Sequence, residues 1–184
     1  PKLEAIADGA IDIVCAAQQD DGYLDTYYII NGKDKIFTNL KDHHELYCFG
    51  HLAEGAVAYY QATGKDKLLK AAERFADYIA DYFGEKEGKC KGYPGHEIAE
   101  MALIRLYETT GEEKYLRLSQ FFINQRGTRP YYFDIEQGLK LSDKERESQR
   151  YQYYQAHLPV REQKEAVGHA VRAVYLYSGM ADIA

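Results

Sequence analysis

The sequence predicts an all-α protein built of stacked helix pairs, and three observations predict it. Apolar residues recur at helical spacing along most of the chain. Glycines stand where those periodic runs end. One helix–turn–helix unit also occurs twice. "YQATGKDKLLKAAERF" aligns without a gap on "YETTGEEKYLRLSQFF", matching Tyr60 with Tyr107, Thr63-Gly64 with Thr110-Gly111, Leu69 with Leu116 and Phe75 with Phe122. A helix pair cannot bury its apolar face alone, so a repeated pair stacks on its neighbours.

The elements follow in order. Residues 3–17 read as a helix with Leu3, Ile6, Ala10, Ile11 and Val14 on one stripe. Gly22 breaks the pattern, Asn31-Gly32 makes a turn, and Thr26 to Ile30 form a short strand or an extended loop. A second helix runs from Asp42 to Ala62, with Asp42 as N-cap and Glu45 three residues on. A third runs from Lys65 to Phe83 and stops at Gly84, burying Leu68, Leu69, Ala72, Phe75, Ala76 and Ile79. A fourth spans His96 to Thr110, and a fifth spans Glu112 to Gln125 and ends near Gly127. Residues 126–161 form a long excursion rich in tyrosine and charge, and a last helix starts near Glu162. Tyr175 and Gly179 repeat the spacing of Tyr107 and Gly111, so a third copy is expected to begin there. On this periodicity residues 1–184 are a single domain that begins and ends inside repeats, truncated at both ends.

Composition narrows the function. The 184 residues suffice for one domain with a sizeable core. A net charge of −6 argues against a nucleic-acid or anionic-membrane partner, and no apolar run is long enough to span a bilayer. Eighteen tyrosines and no tryptophan suit a wet cleft, or reflect tyrosine as the general aromatic. Cys15, Cys48 and Cys90 form no CxxC pair, which reads as free thiols in a reducing, cytoplasmic compartment.

Three stretches carry candidate chemistry. In "HELYCFGH", residues 44–51, His44, Cys48 and His51 share one helix face. Such a face could ligate zinc, but His44 and His51 lie about 10 Å apart along the axis. Zinc bonds are about 2.1 Å long, so the two reach one ion poorly. A core or cleft-facing row is the other reading. In "GYPGHE", His96 stands at a helix N-terminus, where free N–H groups suit a hydroxyl-rich or anionic ligand, or where it simply caps the helix. "YQYYQAHLPVREQKEAVGHAVRA" combines His157 and His169 with Gln155, Gln163 and several tyrosines. Rings that cover apolar sugar faces, with amides and imidazoles for the hydroxyls, are one fate of such composition; a solvated surface loop is the other. The sequence has no G-x-S-x-G, P-loop, G-x-G-x-x-G or H-E-x-x-H motif, and no carboxylate pair stands out as acid and base.

These blocks, with "DDGYLDTYY" and "FFINQRG", resemble glycoside hydrolase family 127, the β-L-arabinofuranosidases, in the right order along nearly the whole chain. The resemblance implies an (α/α)6-barrel catalytic domain, of which this chain is the N-terminal part. It implies retaining hydrolysis of β-L-arabinofuranosides by a zinc-held cysteine thiolate with a glutamate as acid/base. The family's catalytic and zinc-binding residues lie after the GHAVRA block. No catalytic or metal-binding residue is therefore expected before Ala184, and no zinc on this stretch. The resemblance does carry over His44, His96 and His169 as residues lining the sugar pocket. Two rivals to an enzyme of this family remain: a non-catalytic helical-repeat binding or scaffold module, and a different (α/α)6 sugar enzyme such as an unsaturated uronyl hydrolase.

Overall fold

The computed structural model describes residues 2–139 and 149–184. The helices are α1 (Lys2–Ala16), α2 (Thr26–Asn31), α3 (Glu45–Thr63), α4 (Lys67–Tyr82), α5 (Ala99–Thr110), α6 (Glu113–Gln125), α7 (Tyr132–Glu136), α8 (Gln149–Tyr153) and α9 (Ala170–Ile183). Among the described residues no strand forms. The repeated unit is seen as predicted: α3 turns into α4, and α5 into α6, through left-handed Gly64 and Gly111, whose N–H groups bond the carbonyls of Tyr60 and Tyr107.

The helices form two layers. α3, α5 and α9 lie side by side with α5 in the middle, and α1, α4 and α6 pack behind them. Phe49, Ala53 and Val57 of α3 meet Phe75, Ala76 and Ile79 of α4 and Leu103 and Leu106 of α5 in one core. The inner helices approach α5 closely at two glycines. A Cβ on Gly50 would lie 2.6 Å from Ile98 Cγ2, and one on Gly179 would lie 3.1 Å from Glu100 Cβ.

Several expectations are corrected. Thr26 to Ile30 are helical, because the Asp25 carboxylate accepts the Tyr27 N–H and starts α2. α3 begins at Glu45 with His44 as N-cap, and Asp42 does not cap it. The Glu45 carboxylate instead turns into the core, where it accepts from the Tyr23 hydroxyl at 2.6 Å and the Phe37 N–H at 3.0 Å. α5 starts at Ala99, three residues after His96, and α9 starts at Ala170, with residues 160–162 only a 3₁₀ turn. Gly179 is no turn: it lies buried inside α9 against α5, so the spacing from Tyr175 marks helix contact and not a third copy of the loop. The α1 stripe is exposed at Leu3, Ile6 and Val14. α1 is held instead by Lys65 on Glu4 and Asp8 and by Lys67 on Asp12. The 126–161 excursion is not all surface either: Tyr131, Tyr151, Gln155 and Ala156 are buried. Residues 140–148 of that excursion lie outside the described residues.

Two outcomes follow for stability. Alanine in a helix interior normally gains about 1 kcal/mol over glycine. At Gly50 the Ile98 contact reverses the sign, and Gly50→Ala is expected to lower the unfolding free energy by ~1–3 kcal/mol in denaturant titration; a stabilised variant would contradict the packing. Burial pushes the Glu45 carboxyl up to about 7, against the pull of its donors. A folded pKa above the unfolded one gives stability that is full below the ordinary carboxylate range and is lost as pH rises through about 7. Relative to Glu45→Gln, the native protein should therefore lose ~3 kcal/mol of stability across that window. A pH-independent difference between the two would refute it.

Candidate functional site

His44, His96 and His169 stand at or just before the starts of three separate helices, and the fold brings their rings together. His44 is the N-cap of α3, His169 is the N-cap of α9, and His96 precedes α5 by three residues. Ring centroids lie 5.9 Å apart for His44 and His96, and 6.2 Å for His96 and His169. The N-termini of the three inner helices therefore share one end of the layer. Their unpaired N–H groups and partial positive charge favour oxygen ligands there.

Tyrosines complete the cluster. The Tyr47 ring lies 4.5 Å from both His51 and His96, and Tyr175 of α9 lies 6.2 Å from His51 and from His96. Tyr153 packs on His169 at 5.3 Å. The row along α3 is therefore His44, Tyr47 and His51. Cys48, expected on that face, is exposed and lines a shallow pocket of about 390 Å³ with Asp25, Tyr27, Tyr28, His43 and His44, so that pocket adjoins the cluster at His44. A larger cleft of about 710 Å³ between α4 and α6 contains none of the histidines and lies away from this chemistry.

The loop bearing His96 is pinned from every side. Gly95 presses so closely on residues 40–41 that a Cβ would lie 2.1 Å from the Leu40 carbonyl oxygen. The Glu136 carboxylate fixes those residues by accepting the N–H groups of Leu40 and Lys41. Fully buried Arg126 donates to the carbonyls of Pro94 and Tyr154 and to Glu100, and pairs with Glu97 at 3.0 Å. Burial drives the Glu97 carboxyl up to about 8, the pull of Arg126 being smaller. Arg172 donates to the Gly95 carbonyl at 2.9 Å. Burial lowers the pKa of His96, outweighing its contact with the Glu97 carbonyl, and Arg172, His44 and His169 lower it further.

The loop bearing His169 is built alike. Left-handed Gly168 sits where a Cβ would lie 1.9 Å from the Gln152 carbonyl oxygen. Gln155 donates to the carbonyls of Val167 and His169, and Gln163 to those of Gln155 and Leu158. Both glutamines, which the composition suggested for sugar contact, are thus spent on backbone. His157 lies outside the cluster: burial lowers its pKa, and its Nδ1 has no partner among the described residues. Tyr47, Tyr175 and Arg172 were missed in the sequence. The i, i+3, i+7 spacing of His44, Tyr47 and His51 is the one signal that pointed to Tyr47.

The described residues contain no group of three His, Cys, Asp or Glu side chains able to hold a metal ion. Cys15, Cys48 and Cys90 are free and sit on different elements. These residues do not fit a zinc site. No helix among the described residues is long and apolar enough to cross a membrane.

Comparison with known proteins adds the family. The chain is 42% identical over 190 residues to a non-reducing end β-L-arabinofuranosidase of Bifidobacterium longum subsp. longum, covering 100% of the chain and 29% of that protein. Its structure is similar to a GH127 β-L-arabinofuranosidase from Geobacillus stearothermophilus T6, with a TM-score of 0.91 and 54% identity over 98% of the chain and 29% of the other. It is also similar to a GH127 β-arabinofuranosidase, with a TM-score of 0.82 and 43% identity over 99% of the chain and 27% of the other. The chain thus spans under a third of the length of these relatives. The family described as "Beta-L-arabinofuranosidase, GH127 catalytic domain" matches residues 1–184, and the chain belongs to it.

Proposed function

We propose that the protein carrying this chain is a glycoside hydrolase acting on β-L-arabinofuranosides, and that His44, His96 and His169 hold the hydroxyls of the sugar. The observation that carries this reading is the convergence of three imidazoles at three helix N-termini, walled by Tyr47 and Tyr175. A neutral imidazole offers one donor and one acceptor, which matches a ligand made of hydroxyls. Half-buried rings beside them cover the apolar face of a sugar.

On this reading the chain supplies substrate binding. The thiolate nucleophile, the zinc that would lower its pKa and the acid/base glutamate are assigned to the part of the relatives' length that this chain does not span. The residues here orient the sugar and exclude water around it, which is where binding energy becomes rate.

The test is hydrolysis of p-nitrophenyl β-L-arabinofuranoside by the whole protein. His96→Ala should lower kcat/KM ~10–100-fold, the worth of one or two lost sugar hydrogen bonds, with unchanged thermal stability. Failure to cleave any β-L-arabinofuranoside would remove the substrate assignment, and unchanged kinetics in His96→Ala would remove the site.

A further inference from the structure

The two better-buried histidines of the cluster meet opposite kinds of partner at Nδ1, a carbonyl at His96 and a backbone N–H at His169. His96 Nδ1 lies 3.0 Å from the Glu97 carbonyl oxygen. A carbonyl only accepts, so that nitrogen carries the proton and Nε2 of the neutral ring is left bare. His169 caps α9 by accepting the Arg172 backbone N–H at Nδ1. That nitrogen is therefore bare, which leaves the ring's proton on Nε2.

One residue stands behind both rings. The Arg172 guanidinium is buried over the rings of Tyr153 and Tyr154, at 4.8 and 4.7 Å, and reaches across to the Gly95 carbonyl beside His96. The Arg172 N–H meets His169. We propose that the Glu97 carbonyl and the Arg172 backbone N–H set His96 and His169 as opposite tautomers, an acceptor and a donor, and that the Arg172 side chain is a positioning residue that holds the His96 loop through Gly95, so that the pair takes one hydroxyl group as both donor and acceptor. This rests on the sugar-site reading above and adds to it which hydrogen-bond polarity each ring presents. A hydroxyl donates once and accepts twice, so it satisfies both rings, whereas a carboxylate or an ammonium ion satisfies only one.

The arrangement is sensitive to charge at His96. The groups facing it are His44 and Tyr47 of α3, and His169, Arg172 and Tyr175 of α9. Glu97 and Glu100, paired with Arg126 of α6, lie behind it. Protonation at low pH would turn the bare Nε2 into a second donor and end acceptance of the hydroxyl.

Neutron diffraction from deuterated crystals of the whole protein at about pH 7 tests the tautomers directly. The expected map has deuterium on Nδ1 but not Nε2 of His96, and on Nε2 but not Nδ1 of His169. The same tautomer on both rings, or two deuterons on either, would overturn the inference. Kinetics test Arg172. In Arg172→Met the KM for p-nitrophenyl β-L-arabinofuranoside should rise ~10-fold, about one hydrogen bond. The acid limb of kcat/KM should also move to higher pH, because a repelling charge is gone from His96. Arg172→Lys keeps that charge and should leave the limb in place. A packing role alone would move KM without the limb, and that result would overturn the assignment of Arg172. If the deuterons lie as expected but the protein neither binds nor cleaves arabinofuranosides, the sugar reading fails and the tautomers stand.

Discussion

The fully buried guanidinium of Arg126 is the interaction on which the rest of the site depends. It lies between Glu97 and Glu100, stacks on Tyr93, and donates to the carbonyls of Pro94 and Tyr154. A buried charge is tolerated only when it is paired and hydrogen-bonded, and removal of one partner of such a pair typically costs about 3–5 kcal/mol. The cost of breaking it enforces one conformation on three separate pieces of chain: the loop before α5, α5 itself and the segment after α8. Two of those pieces carry His96 and His169. The ionic cluster is thus less a source of net stability than of register.

Around that anchor the inner helices act as parallel rails. Gly50 and Gly179 let α3 and α9 close on α5, and the shared direction of the three helices delivers three N-termini to one end. Positions just before a helix are where backbone N–H groups are unpaired and where chain geometry is fixed by the first turn. Side chains placed there are oriented by the rigid element behind them without belonging to it. The outer helices α1, α4 and α6 back this layer, and the cleft between α4 and α6 is part of that outer face.

Much of this was legible in the residues. The helix pairs follow from periodicity and from Gly64 and Gly111, and the family blocks singled out His44, His96 and His169. What failed did so for physical reasons. Glu45 has the spacing of a capping residue, but the Tyr23 hydroxyl and the Phe37 N–H, distant in sequence, draw it into the core. Gly179 mimics a turn glycine by spacing, and only the helix packed against it shows that it serves close approach. The polar, tyrosine-rich stretch from Tyr151 to Gln155 lacks apolar period, yet Tyr151 and Gln155 are buried, where Asp134 accepts the Tyr151 hydroxyl and the carbonyls of Val167 and His169 accept from the Gln155 amide nitrogen. Arg172 carries no local signal: its partners, Gly95 and Tyr153, meet it only in the fold.

The most direct measurement is a crystal structure of the whole protein with L-arabinose in the furanose form, or a non-hydrolysed β-L-arabinofuranoside, bound. The account predicts ring hydroxyls within hydrogen-bond distance, about 3.2 Å or less, of His44, His96 and His169, with Tyr47 or Tyr175 against the sugar. A sugar seated elsewhere, as in the cleft between α4 and α6, with the three imidazoles facing only water, would contradict it.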